Sequence, residues 1–206
     1  KRLVLILFFV RFCFVAQAQD PEKSWRKAVA NYNFQEAVEL LDLEIAQLQD
    51  SSKLRDLLLQ KAACQKSLYK FSDAIETLTD ALRISGDDPA AFASLADCHR
   101  MNGNNNAAMI FYSLAVQMAP ENLYFKMQKA MLHYRMEDYH GTISECRNVL
   151  EKDSILSIIT LVGDCFNKLQ IADSALCYYG RAYGKNPADY RTLEKLSGIY
   201  LGRKDF

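Results

Sequence analysis

Small residues recur along this chain at an interval close to 34, and that regularity limits the fold more than any other feature. Ala74, Ala108 and Thr142 are spaced by 34 residues, Ala175 follows after 33, and Ala37 precedes Ala74 by 37. Around Ala108 the full set of positions reads Phe92, Leu95, Ala96, His99, Gly103, Ala108, Tyr112, Ala115 and Pro120. Around Ala175 the matching set reads Ile159, Val162, Gly163, Phe166, Ala172, Ala175, Tyr179, Ala182 and Pro187. A second register agrees with the first. Gln60-Lys61-Ala62 returns as Gln128-Lys129-Ala130 after 68 residues, and Ala96-Asp97-Cys98 as Gly163-Asp164-Cys165 after 67. A period of this length marks a stack of similar units, each too small to bury its apolar face alone.

Two helices cross closely only where side chains are small, which accounts for Ala or Gly at 62, 96, 130 and 163 in the first helix of a unit and at 74, 108 and 175 in the second. Large residues such as Phe92, Tyr112, Phe166 and Tyr179 fill the space between neighbouring helices. On these positions the chain resembles the tetratricopeptide-repeat family over nearly all of 20–206. The resemblance implies an all-α fold, a right-handed superhelical solenoid of antiparallel helix pairs. Five whole repeats are expected, at about 20–50, 53–88, 89–122, 123–155 and 156–189, followed by the first helix of a sixth at 190–206. The fourth repeat departs from the pattern, with Thr142 at the small position, Val149 where Ala is usual and Lys126 where an apolar residue is usual. It is expected to pack less tightly.

Punctuation places the helix limits. Asp20-Pro21-Glu22 opens the first helix, to about 31; Asn33 turns the chain into its partner at 34–48, and Ser51-Ser52 caps a helix at 53–67. Further helices are expected at 71–85, 89–102, 105–118, 122–136, 139–152, 155–169, 172–185 and 190–202. Asp87-Asp88 and Glu137-Asp138 fall in turns or at helix starts, where carboxylates cap and complement the dipole. Because a solenoid needs a polar cap at its end, more chain is expected after Phe206.

Residues 1–18 stand outside the periodic part. Lys1 and Arg2 precede an apolar run over 3–15 broken only by Arg11, and Ala16-Gln17-Ala18 supplies a small-x-small cleavage pattern, so the segment reads as a secretory signal peptide. The run is shorter than the roughly 20 apolar residues of a membrane span. An exported protein is expected, periplasmic or extracellular after cleavage, with no stable span within 19–206. Lys plus Arg and Asp plus Glu number 25 each; cleavage leaves 22 against 25, which argues against a nucleic-acid partner. Five cysteines remain, at 64, 98, 146, 165 and 177, so at least one has no partner within the chain. Cys64, Cys98 and Cys165 share one slot of the repeat, and stacked equivalents about 8–10 Å apart are beyond disulfide reach. Small apolar packing accounts for these thiols. Cys146 and Cys165, on consecutive helices, form the one pair placed for a bridge.

Catalytic motifs are missing: there is no Gly-rich phosphate loop, nucleophile elbow, His-Glu-x-x-His or Cys-x-x-Cys. His99 and His133 hold equivalent positions suited to a packed imidazole, and His140 belongs to a helix start. The chain is therefore read as non-catalytic, with no catalytic residue, cofactor or metal site.

In tetratricopeptide-repeat proteins the first helices of successive repeats line a concave face. The resemblance assigns to it Ala90, Ala93, Asp97, Arg100 and Met101 of the third repeat, and Tyr124, Met127, Met131, Tyr134 and Arg135 of the fourth. Ser157, Thr160, Asp164, Asn167 and Lys168 come from the fifth. Tyr and Met at the centre, flanked by charge, suit an extended peptide or a partner helix. Met127 and Met131 stand at helical spacing, so they either face this groove or fill the core of the irregular fourth repeat. Asp97 and Asp164 disfavour capture of a terminal carboxylate and leave room for a partner bearing Lys or Arg. The expectation is a non-catalytic protein–protein interaction scaffold binding a protein or peptide, with its oligomeric state open. Two other readings stay open: the extracytoplasmic sensor region of a longer signalling protein, and the docking array of an enzyme whose catalytic domain lies downstream.

Overall fold

The computed structural model describes residues 21–48, 53–151 and 155–203. The expected signal peptide at 1–18 and the expected caps Asp20 and Ser51-Ser52 lie outside the described residues. Among the described residues there are eleven α-helices and no strand. They are α1 (Pro21–Ala30), α2 (Phe34–Gln47), α3 (Leu54–Ser67), α4 (Phe71–Ile84), α5 (Pro89–Met101), α6 (Asn105–Met118), α7 (Leu123–Arg135), α8 (Tyr139–Leu150), α9 (Leu156–Lys168), α10 (Ala172–Lys185) and α11 (Tyr190–Arg203). Their limits differ by no more than two residues from those read from the punctuation. No helix among the described residues is long and apolar enough to cross a membrane.

Side chains placed by the sequence start these helices. Asp88 Oδ1 accepts from the amides of Ala90 and Ala91 at 2.9 and 3.0 Å, Asn122 Oδ1 from Tyr124 and Phe125, and Asp138 Oδ1 from Gly141 at 2.9 Å. Between paired helices the chain reverses through one left-handed residue, at Tyr32, Tyr69, Gly103, Glu137 and Gln170, with φ between 58° and 81°. These turns follow the repeat interval. Gly103 alone adopts the conformation without a Cβ to strain.

The chain forms two compact units that divide between Asp87 and Asp88, at the boundary between the second and third repeats. The first contains α1–α4, each packed on its neighbour in sequence. Trp25, Ala28, Ala37, Leu41, Leu57 and Cys64 form its core across α1, α2 and α3. In the second unit the same sequence-neighbour packing runs from α5 to α11, as a solenoid requires. One of its clusters joins Ala93, Ala96, Ala108, Tyr112, Ala115, Phe125 and Leu132; another joins Ala130, Ile143, Cys146, Val149, Ile158, Val162 and Cys165. Ala96, Ala108, Ala115, Ala175 and Ala182 have no exposed surface, because the partner helix lies directly over them.

Two of the departures in the fourth repeat are accommodated in the core. Thr142 is fully buried, and its hydroxyl donates to the Asp138 carbonyl at 2.9 Å and across the hairpin to the Ala130 carbonyl at 3.4 Å. Val149 is buried as well.

The small-residue seam gives a direct mutational contrast. A Cβ on Gly163 would stand 2.6 Å from the ring of Tyr179, which is itself fully buried, whereas nothing lies within 4 Å of a Cβ on Gly180. Urea denaturation is expected to show Gly163→Ala destabilised by about 1–3 kcal/mol, and Gly180→Ala stabilised by about 0.5–1 kcal/mol through helix propensity. Equal effects would mean that the ring contact does not hold position 163.

Candidate protein-interaction surface

Two repeats of the second unit carry the same contact between paired helices. Tyr112 on α6 and Tyr179 on α10 are fully buried, and a buried phenol requires an acceptor. Each finds it on the preceding helix: the Tyr112 hydroxyl donates to the Asp97 carboxylate, and the Tyr179 hydroxyl donates to Asp164 at 2.7 Å. Burial first, and then the neighbouring carboxylate, raises the pKa of both phenols, so both stay neutral donors.

Cations complete both networks, and they come from different places in the chain. In the third repeat Arg100, one turn further along α5, lies 3.5 Å from Asp97. In the fifth repeat the cation comes from the next helix pair. Lys195 of α11 donates to both oxygens of Asp164, at 2.6 and 2.7 Å, and its ammonium lies 5.6 Å from the Tyr179 ring centroid. Both acids are thus matched by cations of the same chain.

The fourth repeat lacks this contact. In its register Met131 stands where Asp97 and Asp164 stand, and Cys146 where Tyr112 and Tyr179 stand. Lys126 replaces Phe92, which stacks on Phe111, and Ile159, which is fully buried. The space these groups would fill is a pocket of about 150 Å³. Lys126, Met127, Ala130 and Met131 of α7 line it, with Cys146 and Val149 of α8 and Ser157, Ile158 and Leu161 of α9. This is where the fourth repeat packs loosely.

The remaining expected residues divide by exposure. Tyr124 is 53% exposed and Met131 41%, and Arg135, Asn167 and Lys168 are exposed at the ends of α7 and α9. Met127 is half-buried, packs against the core and lines the pocket. Tyr134 is half-buried, packs on the same core and meets Tyr139 edge-on at 5.6 Å. Ala93 is buried in the core. Burial raises the pKa of Tyr124 and of Tyr134, with Asp97 adding to the first shift and Asp164 to the second. Comparing positions 126, 131 and 146 with their register equivalents is the signal that locates the pocket in sequence.

The histidines have structural surroundings. His99 stacks on Phe111 at 5.3 Å, with burial lowering its pKa, and His133 Nδ1 lies 2.8 Å from Asp138 Oδ2. No group of three or more His, Cys, Asp or Glu able to hold a metal occurs among the described residues. The five cysteines there are free; Cys177 is exposed and the other four are buried. Cys146 and Cys165, the pair placed for a bridge, instead pack as thiols in one core cluster. Burial pushes the Cys146 thiol up to about 12 and the Cys165 thiol up to about 11.

Comparison with known proteins bears on the architecture. The chain is similar to a TPR repeat-containing protein of Methanocaldococcus jannaschii, 24% identical over 132 residues, which make up 64% of this chain and 23% of that protein. It is similar in structure to a tetratricopeptide repeat protein from Parabacteroides merdae, with a TM-score of 0.78 at 15% identity over 88% of this chain and 72% of that one. This is a tetratricopeptide-repeat fold. The C-terminal part of a TPR repeat-containing protein from Cytophaga hutchinsonii shares it, with a TM-score of 0.76 at 14% identity over 88% of this chain and 71% of that one. No family model matches the chain.

Thiol chemistry checks the packing of this tetratricopeptide-repeat core. At pH 8 the native protein is expected to expose Cys177 to a disulfide reagent at once, while Cys146 and Cys165, buried and protonated, react only on unfolding. Rapid modification of all three would contradict the packing.

Proposed function

We propose that the chain is a non-catalytic protein–protein interaction scaffold, holding a peptide or partner helix against the face formed by α5, α7 and α9. The single observation that carries this reading is the unfilled apolar pocket lined in part by exposed Met131, on the helix that also exposes Tyr124. Apolar area of this kind, rimmed by charge, is the composition of a docking surface. Stacked helix pairs of this fold present extended surfaces of that kind. The charge balance of the chain favours protein over nucleic acid as the partner. The signal-like segment at 1–18 supports a periplasmic or extracellular setting.

Selection of binders from a random peptide library on the intact chain tests the reading. Bound peptides are expected to lose about tenfold or more in affinity when Tyr124→Ala and Met131→Ala are combined. Tyr134 is left intact because it supports the core. Ile110→Ala on α6, where the side chain is exposed on a second helix, is the control and is expected to leave binding unchanged. Retention of every peptide by the folded double variant would place binding elsewhere.

A further inference from the structure

The pocket of the fourth repeat lies where a phenol ring lies in the repeats on either side. Met127, Ala130, Met131 and Cys146 are the register equivalents of Ala93, Ala96, Asp97 and Tyr112, and of Thr160, Gly163, Asp164 and Tyr179. In the third repeat Ala93, Ala96 and Tyr112 share one core cluster, and in the fifth Gly163 backs directly onto the Tyr179 ring. Ala130 keeps the small floor of this arrangement, and Cys146 removes the ring. Lys126 then adds a cation to the wall. Among the described residues Lys126 makes no ion pair, whereas Lys129 on the same helix lies 2.6 Å from Glu145.

We propose that the pocket receives the ring of a phenylalanine from the partner, with an acidic residue beside it pairing with Lys126. The proposal rests on the scaffold reading above and specifies its ligand. Shape favours a ring, because the flanking repeats hold rings in the equivalent place. The walls favour Phe over Tyr: a ring entering from solvent meets Ala130, Cys146, Val149 and Ile158, and Met131 stands where a carboxylate accepts the phenol in the other repeats. The flexible side chains of Met127 and Met131 adapt to the inserted ring. Charge favours an acid, because Arg100 and Lys195 are engaged with Asp97 and Asp164 while Lys126 has no counter-ion at the pocket.

Peptides enriched on the intact chain, measured by fluorescence anisotropy, test the assignment. Their shared pattern is expected to contain Phe with Asp or Glu within a few residues. The double variant Met131→Asp, Cys146→Tyr rebuilds the contact of the flanking repeats and closes the pocket; affinity is expected to fall at least about tenfold. Cys146→Phe is a second filling variant, and a thermal melt of each confirms that it folds. Lys126→Gln is expected to weaken binding about 3- to 10-fold, and to have no effect on a peptide whose acid is replaced by its amide. Peptides that need Tyr124 yet bind a folded, filled variant as well as the original chain overturn the pocket assignment and leave the scaffold reading standing. So does a shared pattern without an acid. Peptides indifferent to Tyr124, Met131 and Cys146 together, or no enrichment at all, overturn both.

Discussion

A phenol laid over an alanine or glycine, with its hydroxyl on a carboxylate of the preceding helix, ties the paired helices of the third and fifth repeats. The close approach comes first: Ala96 and Gly163 let the rings of Tyr112 and Tyr179 lie against the backbone of the neighbouring helix. A ring buried that deeply must satisfy its hydroxyl, and Asp97 and Asp164 do so. The carboxylates, half-buried in turn, are matched by Arg100 and Lys195. Each requirement follows from the one before it.

The surface inherits its character from this chain of requirements. The acids that the family resemblance assigns to the concave face are paired within the protein. Where the phenol and its carboxylate are both replaced, by Cys146 and Met131, the same backbone encloses apolar space instead. One irregular repeat between two regular ones thereby acquires a pocket without any change in helix order.

Much of the architecture is legible in the sequence because it rests on local and periodic signals. The small residues at 96, 108, 130, 163 and 175 mark the helix crossings, and Asp88, Asn122 and Asp138 mark helix starts through contacts two or three residues away. The pairing of Asp164 is less accessible, since Lys195 lies 31 residues further on and belongs to the next repeat. The pocket is harder still to read, because it consists of atoms that are missing. Only alignment of Lys126, Met131 and Cys146 with their equivalents reveals it. Met127 resists a single assignment for a physical reason: a long unbranched side chain packs on the core with one part and lines the pocket with another.

A double-mutant cycle at positions 131 and 146, followed by urea denaturation, tests the central claim most directly. If the fourth repeat shares the geometry of its neighbours, Met131→Asp and Cys146→Tyr together are more stable than the sum of the single changes by about 1–3 kcal/mol, because the new phenol donates to the new carboxylate. Additive effects, or a double variant less stable than that sum, would contradict the claim that these two positions face each other as Asp97 faces Tyr112.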